Sequence, residues 1–324
     1  MSAGIAKRVK VLYVVGMGRS GSTILANSLG EVDGFFSAGE MCYMWRNNLV
    51  ENRLCGCGAP FRECEVWGRV LERAFGGSEN VDPREMMREL SAGARTRHLP
   101  LMLTDAGRRR LASRMRPLLN NTGWLYRALQ AETGSRVIVD SSKEPAYGRA
   151  LGMAPGIDLH VLHLVRDPRA TAYSWSKKKP QPDSPDREFM VQFSPTKNSW
   201  MWDVWNGAAE TMWSGYPSRY LRLRYEDFIA DPRASFGRIL RMLGEDAQPP
   251  LVGDNEVKLG VSHTVSGNPN RFQTGSVALK PDTEWMHEMD PKDRGLVTAL
   301  TYPMLRRYGY PVRPEETEGA ALSA

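Results

Sequence analysis

The sequence contains no apolar run long enough to cross a membrane or to act as an export signal. Met1 to Lys10 is short and polar, and the apolar run behind it, Val11 to Val15, is too brief for either role. The chain therefore reads as cytoplasmic. It shows no internal repeat at the spacing of solenoids or propellers. Its cysteines lack the paired C-x-x-C spacing usual in zinc sites. Its basic residues are not interleaved with aromatics in the manner of a single-strand-binding groove, and no nucleic-acid partner is expected.

What is present suits a globular protein with a packed core. The chain has 324 residues, 41% apolar and 25% charged. A formal net charge of +6 favours an anionic ligand. Between Val81 and Gln130 ten arginines stand against four acids. That stretch has little β character, and Leu111, Met115, Leu118 and Leu125 recur at roughly helical spacing. A mostly helical insertion over 65–133 is predicted, its arginines forming a solvated face. Contact with an acidic acceptor or, peripherally, with a membrane surface is the sharper reading.

Val11 to Val15 is rich in β-branched residues, Gly16-Met17-Gly18-Arg19-Ser20-Gly21-Ser22-Thr23 turns the chain, and Ile24 to Leu29 resumes at helical spacing. A strand, a glycine loop and a helix in that order can aim backbone N–H groups and a helix N-terminus at a phosphate. Against the nucleotide-triphosphate loop G-x-x-x-x-G-K-[ST], Gly16, Gly21 and Thr23 match but Ser22 replaces the lysine. The charge sits on Arg19 instead. Without the lysine the usual grip on a β/γ-phosphate is missing, which disfavours ATP chemistry and preserves phosphate binding.

Further strands are predicted over Arg136 to Asp140, running into Ser141-Ser142-Lys143-Glu144-Pro145, over Leu159 to Val165, running into Arg166-Asp167-Pro168-Arg169, and over Tyr220 to Tyr225. Glu31 to Gly39 reads as a glycine-containing connection that delivers Glu40. Strands that end in polar or basic turns on one sheet edge would make one site. Helices are expected over Ala170 to Lys179, around Trp200 to Trp213 as core, and from Asp231-Pro232 to about Leu243. Residues 181–195, with prolines and charges but no periodicity, read as a lid loop, and 312–324 as a disordered tail. The pieces predict one domain over 1–311, of α/β class.

Cys55, Cys57 and Cys64 lie within ten residues of one another, with Cys42 upstream. Structural thiols or a disulfide are the favoured reading. Zinc is the alternative if Cys42 or a histidine completes the set.

Arg19-Ser20-Gly21-Ser22-Thr23 resembles the first signature, [KR]-[ST]-G-[ST]-[ST], of the sulfotransferases that use 3′-phosphoadenosine 5′-phosphosulfate (PAPS). In that family the loop holds the 5′-phosphosulfate. Arg166 with Ser174 eight residues on resembles the second signature, whose residues bind the 3′-phosphate. A guanidinium can give two charge-assisted bonds there while the hydroxyl approaches from the following helix. His263 to Phe272, followed by Gly275 and Trp285, resembles the C-terminal signature of bacterial and carbohydrate-type members. By that likeness Arg271, with Thr274 or Gly275, would close over the nucleotide. Tyr225 matches a tyrosine placed near the adenine, with core packing an equal reading.

The resemblance implies a three-layer, P-loop-like fold with a mainly parallel central sheet flanked by helices. It also implies transfer of a sulfuryl group from PAPS, as co-substrate, to a hydroxyl, with no metal required. Glu40 matches the glutamate base of tyrosylprotein-type and carbohydrate-type members, with His263 the rival base. Lys143 matches a lysine that such members place beside the sulfuryl group, and Arg19 would share its work. The acceptor class is a glycan, glycolipid or secondary-metabolite hydroxyl, and the Met- and Trp-rich segments lean towards one with apolar bulk. Two alternatives are a small-molecule kinase with a degenerate phosphate loop, which would need Mg²⁺ and ATP, and a nucleotide-binding module without turnover.

Overall fold

A computed structural model describes residues 8–184 and 187–313. Five strands, β1 (Val9–Val15), β2 (Phe35–Gly39), β3 (Val137–Lys143), β4 (Ile157–Val165) and β5 (Tyr220–Arg224), form one sheet in the order β2-β3-β1-β4-β5. All neighbours run parallel. A parallel sheet is buried on both faces, which is why β1, β3 and β4 read as near-continuous apolar runs. Val11, Tyr13 and Val15 point into a core with Ile138, Val161 and the helices of 65–133, whereas Leu12 and Val14 point into a second core with Val139, Leu162, Phe228 and Phe236. The result is the expected three layers, an α/β fold with a parallel sheet between helices.

The insertion is helical as expected, with helices Glu65–Phe75, Pro83–Gly93, Asp105–Arg114 and Arg116–Thr133. The helix Pro195–Trp213 buries Trp202, Trp205 and Trp213 and leaves Trp200 exposed. Among the described residues no helix is long and apolar enough to cross a membrane.

Two elements differ from the sequence reading. The expected connection over Glu31 to Gly39 contains the edge strand β2, which Phe35, Phe36 and Ser37 join by pairing with Val137, Ile138 and Val139. Its Phe-Phe-Ser-Ala-Gly composition has no β-branched residue, so the strand comes from tertiary pairing rather than propensity. β3 likewise continues past Asp140 to Lys143. The buried Asp140 carboxylate accepts the Ser142 backbone N–H at 2.9 Å and the Ser142 hydroxyl at 2.5 Å, which satisfies polar groups that would otherwise leave the sheet. A two-stranded antiparallel ribbon, β6 (Glu256–Leu259) with β7 (Gly275–Ala278), adds to the C-terminal part.

The proposed lid, 181–195, folds back on the helix Pro168–Ser176: the amides of Met190 and Phe193 donate to the carbonyls of Lys179 and Trp175 at 2.9 and 3.2 Å. Its residues 185–186 lie outside the described residues, as do 314–324 of the expected tail. Val312, at the start of that tail, accepts a 2.9 Å bond from the Arg169 guanidinium.

Candidate active site

The carboxyl ends of all five parallel strands converge on one cavity of about 540 Å³. β1 runs into the Arg19 loop, β2 into Glu40, β3 ends on Lys143, β4 runs into Arg166 and β5 into Tyr225, and each of these residues lines the cavity. This is the edge at which an open α/β sheet places its ligand.

The loop after β1 is shaped by close approaches. Gly21 has φ +80°, and a Cβ there would stand 2.4 Å from the Tyr225 ring. A Cβ on Gly18 would meet the Trp175 indole at 2.8 Å, and that indole donates to the Gly18 carbonyl at 3.1 Å. Ser20 is buried and donates to the Met17 carbonyl at 2.6 Å, so it closes the loop rather than lining the cavity. Gly21 leads into the helix Ser22–Gly30 without a side-chain cap. The first-turn amides of Ser22, Thr23 and Ile24 are therefore left for a ligand at the cavity wall.

Arg19 takes a left-handed backbone, φ +68°, unusual for a residue with a side chain. Its guanidinium lies over the Trp175 ring, 4.8 Å from the centroid, and touches Met190 Sδ at 3.1 Å. Its Nε is buried with no partner among the described residues. Burial lowers its pKa from the ordinary arginine value. Lys179, also on the wall, is lowered first by burial and then by repulsion from Arg19 and Lys177. Cations crowded together with an unused donor call for an anion.

Lys143 is the second non-glycine wall residue with a left-handed backbone, φ +70°. Its ammonium donates to Glu40 Oε1 at 2.5 Å and to the Ser141 carbonyl at 2.8 Å. Glu40 is anchored through its backbone: its amide donates to the Val265 carbonyl at 2.8 Å, while the Val265 amide donates to the Ala38 carbonyl at 2.9 Å. The adjoining Glu144 carboxylate is buried and accepts from the Tyr43 hydroxyl at 2.6 Å; burial raises its pKa.

Arg166 is nearly buried and stacks over Tyr225 at 4.6 Å. It donates to the Arg19 carbonyl at 3.0 Å and pairs with Asp282 at 2.8 Å. Burial alone would raise the Asp282 carboxyl, but Arg166, with the Glu284 amide and Lys179, holds it below its ordinary value. Ser174 lines the same wall, with Lys179 Nζ 3.4 Å from its hydroxyl.

Three residues of the C-terminal signature do not reach the cavity. Arg271 is 2% exposed and its two terminal nitrogens are committed to the fold: they pair with Asp183 at 2.8 Å and donate to the carbonyls of Thr264 and Leu54 at 2.9 and 2.7 Å, while its buried Nε has no partner among the described residues. Its charge is consumed inside the fold, and Thr274 and Gly275 follow it away from the wall into β7. The neighbouring Gly267, Asn268 and Asn270 line the cavity in their place. The rival base His263 also points elsewhere, with its Nδ1 3.3 Å from Cys64 Sγ and 3.9 Å from Cys55 Sγ. All four cysteines are free thiols, so no disulfide forms, and Cys42 stands apart with its amide on Ser142 Oγ.

Sequence reasoning missed Tyr43, Arg46, Asn47, Trp175, Lys179 and Asp282, all on the wall. Trp175 adjoins Ser174 and was within reach of the motif. Lys179 stands at the end of the expected helix, which stops at Ser176 and leaves it on the wall, and the others come from segments whose spacing carries no periodic signal.

A family model described as the sulfotransferase family matches residues 12–249. Among solved structures, the sulfotransferase domain from the curacin biosynthetic pathway is similar, with 16% identity and a TM-score of 0.54 over 94% of this chain and 99% of that one. The sulfotransferase domain from the Synechococcus PCC 7002 olefin synthase shares 19% identity over 92% of this chain and 95% of that one, at a TM-score of 0.49. No curated protein matches significantly.

Proposed function

The chain belongs to the PAPS-dependent sulfotransferase family, and from that premise we propose that the cavity at the sheet's carboxyl edge transfers a sulfuryl group to an acceptor hydroxyl, with Glu40 as general base. The observation that carries this reading is the Lys143–Glu40 ion pair, set in the same cavity as the phosphate-type loop.

The residues present fit the donor. The unpartnered Nε of Arg19, the uncapped helix start and the cradle that a Cβ on Gly18 or Gly21 would fill all suit a 5′-phosphosulfate. Arg166 and Ser174 suit the 3′-phosphate, and Tyr225 the adenine face. Asp282 now occupies the outer edge of Arg166, the place a phosphate oxygen would take. PAPS, when bound, supplies an activated sulfuryl group and a stable bisphosphate leaving group. Glu40 would take the hydroxyl proton of the acceptor at its carboxylate oxygen. Once Glu40 is neutral, Lys143 loses its counter-charge and its ammonium is free to offset charge building on the bridging oxygen. Arg19 shares that task from the loop side.

The acceptor side is drawn from Val191, Phe193, Met201 and Trp205, with Asn47 and Asn268 as polar contacts. A glycan, glycolipid or secondary-metabolite hydroxyl carried on apolar bulk suits such a wall. The kinase reading lacks the lysine that Ser22 replaces.

The test is calorimetric titration with adenosine 3′,5′-bisphosphate and with ATP plus Mg²⁺, followed by turnover of PAPS against an acceptor panel. Micromolar bisphosphate binding, weak ATP binding and turnover lost in Glu40→Gln are expected. Tighter ATP binding, or a Glu40→Gln variant as active as the parent, would overturn the proposal.

A further inference from the structure

Away from the cavity, Cys55, Cys57, Cys64 and His263 bring four ligand atoms within 4.8 Å of one another. The sulfurs come from one short loop and the imidazole from a segment about two hundred positions later in the chain. Zn–S bonds of about 2.3 Å and Zn–N bonds of about 2.0 Å put tetrahedral donors about 3.5–3.8 Å apart. The Cys64 Sγ and Cys55 Sγ distances to His263 Nδ1, 3.3 and 3.9 Å, bracket that spacing.

We propose that these four side chains form a structural Cys₃His zinc site that ties the loop 55–64 to the segment 263–265. With four protein donors the coordination shell closes, leaving no position for substrate. The supporting shell is in place. The Trp67 indole donates to the His263 carbonyl at 2.7 Å, and the Gly58 amide donates to the Cys55 carbonyl at 2.9 Å in a turn where Gly58 has φ +89°. Cys55 and Cys64 are buried, whereas Cys57 and His263 are partly open, and His263 borders a second cavity of about 200 Å³ through which an ion can enter.

The site also explains a connection. The Gly56 amide donates to the Thr264 carbonyl at 2.9 Å, and the next residue, Val265, pairs with the backbone on both sides of Gly39. Zinc would therefore clamp the strap against which Glu40 is held, without touching the reacting groups. This assignment stands on the thiol and imidazole geometry alone and does not depend on the sulfuryl-transfer reading.

The test uses the full chain, purified without chelators or metal-affinity resin, and reads metal by mass spectrometry. One zinc per chain is expected, falling at least tenfold in Cys64→Ala/His263→Ala and unchanged in Cys42→Ala. Should the double variant fail to fold, Co²⁺ exchanged into the parent protein decides: a tetrahedral site with three thiolates gives sulfur-to-cobalt charge-transfer and strong visible ligand-field bands. A parent chain that takes up neither Zn²⁺ nor Co²⁺ would overturn the proposal. So would a thiol titration of the denatured chain that finds a disulfide in place of the four free thiols.

Discussion

The cavity has two walls built on different principles. The wall made by the strand ends holds Arg19, Glu40, Lys143 and Arg166, each delivered by the carboxyl end of a parallel strand, with ion pairs from Lys143 to Glu40 and from Arg166 to Asp282. A second wall, from 187–205, presents Met190, Val191, Phe193, Met201 and Trp205 beside Arg187, and Phe193, Met201 and Trp205 belong to one apolar cluster. Val191 is 45% exposed and Trp205 only 8%, so this wall grades from solvent into core. The first arrangement serves chemistry that demands fixed charges; the second serves fit to a molecule of variable shape.

By that division, removing a charge from the strand-end wall damages the reaction most. Glu40→Gln keeps the shape and a bond to Lys143 but cannot accept a proton, and kcat is expected to fall about a thousandfold, as for a lost general base. Bisphosphate affinity should stay within a few-fold of the parent. A steady-state assay beside calorimetry reads both, and an equal loss in both would erase the distinction between chemistry and binding within this wall.

Arg166→Ala comes next. It removes a guanidinium that spans the loop carbonyl of Arg19, the Tyr225 ring and Asp282. Losing charged bonds to a phosphate is expected to weaken bisphosphate binding about a hundredfold, roughly 2.7 kcal/mol. The same edge predicts a gain: Asp282→Asn frees Arg166 from a carboxylate that competes with the ligand, and affinity should rise several-fold. A fall in affinity in Asp282→Asn would show instead that Asp282 orients Arg166.

The two walls also differ in how far they can be read from the sequence. Arg19, Lys143 and Arg166 follow apolar runs with strand signatures, so their positions at one sheet edge follow from topology. Glu40 was legible through its likeness to the family's glutamate, even though β2, whose end delivers it where the expected connection ended, was not. Arg271 shows the limit. Its motif neighbours do line the cavity, but a buried Asp183, far away in the chain, claims its charge, and no local pattern announces that pairing. Lys179 lies just past the Ser176 end of a helix expected to include it, and Asp282 lies in a segment without periodicity, so only the folded chain brings them to the site. The cysteine loop was legible as a candidate ligand set, but the partner that completes it was open between Cys42 and a histidine until tertiary structure placed His263 there.

The smallest effect belongs to the apolar wall and tests it most finely. Val191 lines the cavity and is half exposed, and it carries no bond to any catalytic group. Truncating it to alanine removes two methyl groups from a partly solvated surface, a fraction of the ~1–3 kcal/mol that a methylene is worth in a closed pocket. KM for an apolar acceptor should therefore rise only about two- to five-fold, with kcat and bisphosphate affinity unchanged. A variant that alters kcat would mean the residue positions the hydroxyl rather than merely covering apolar surface. In that case the loop wall takes part in aligning the reaction, and the boundary between the walls would move to the far side of 191.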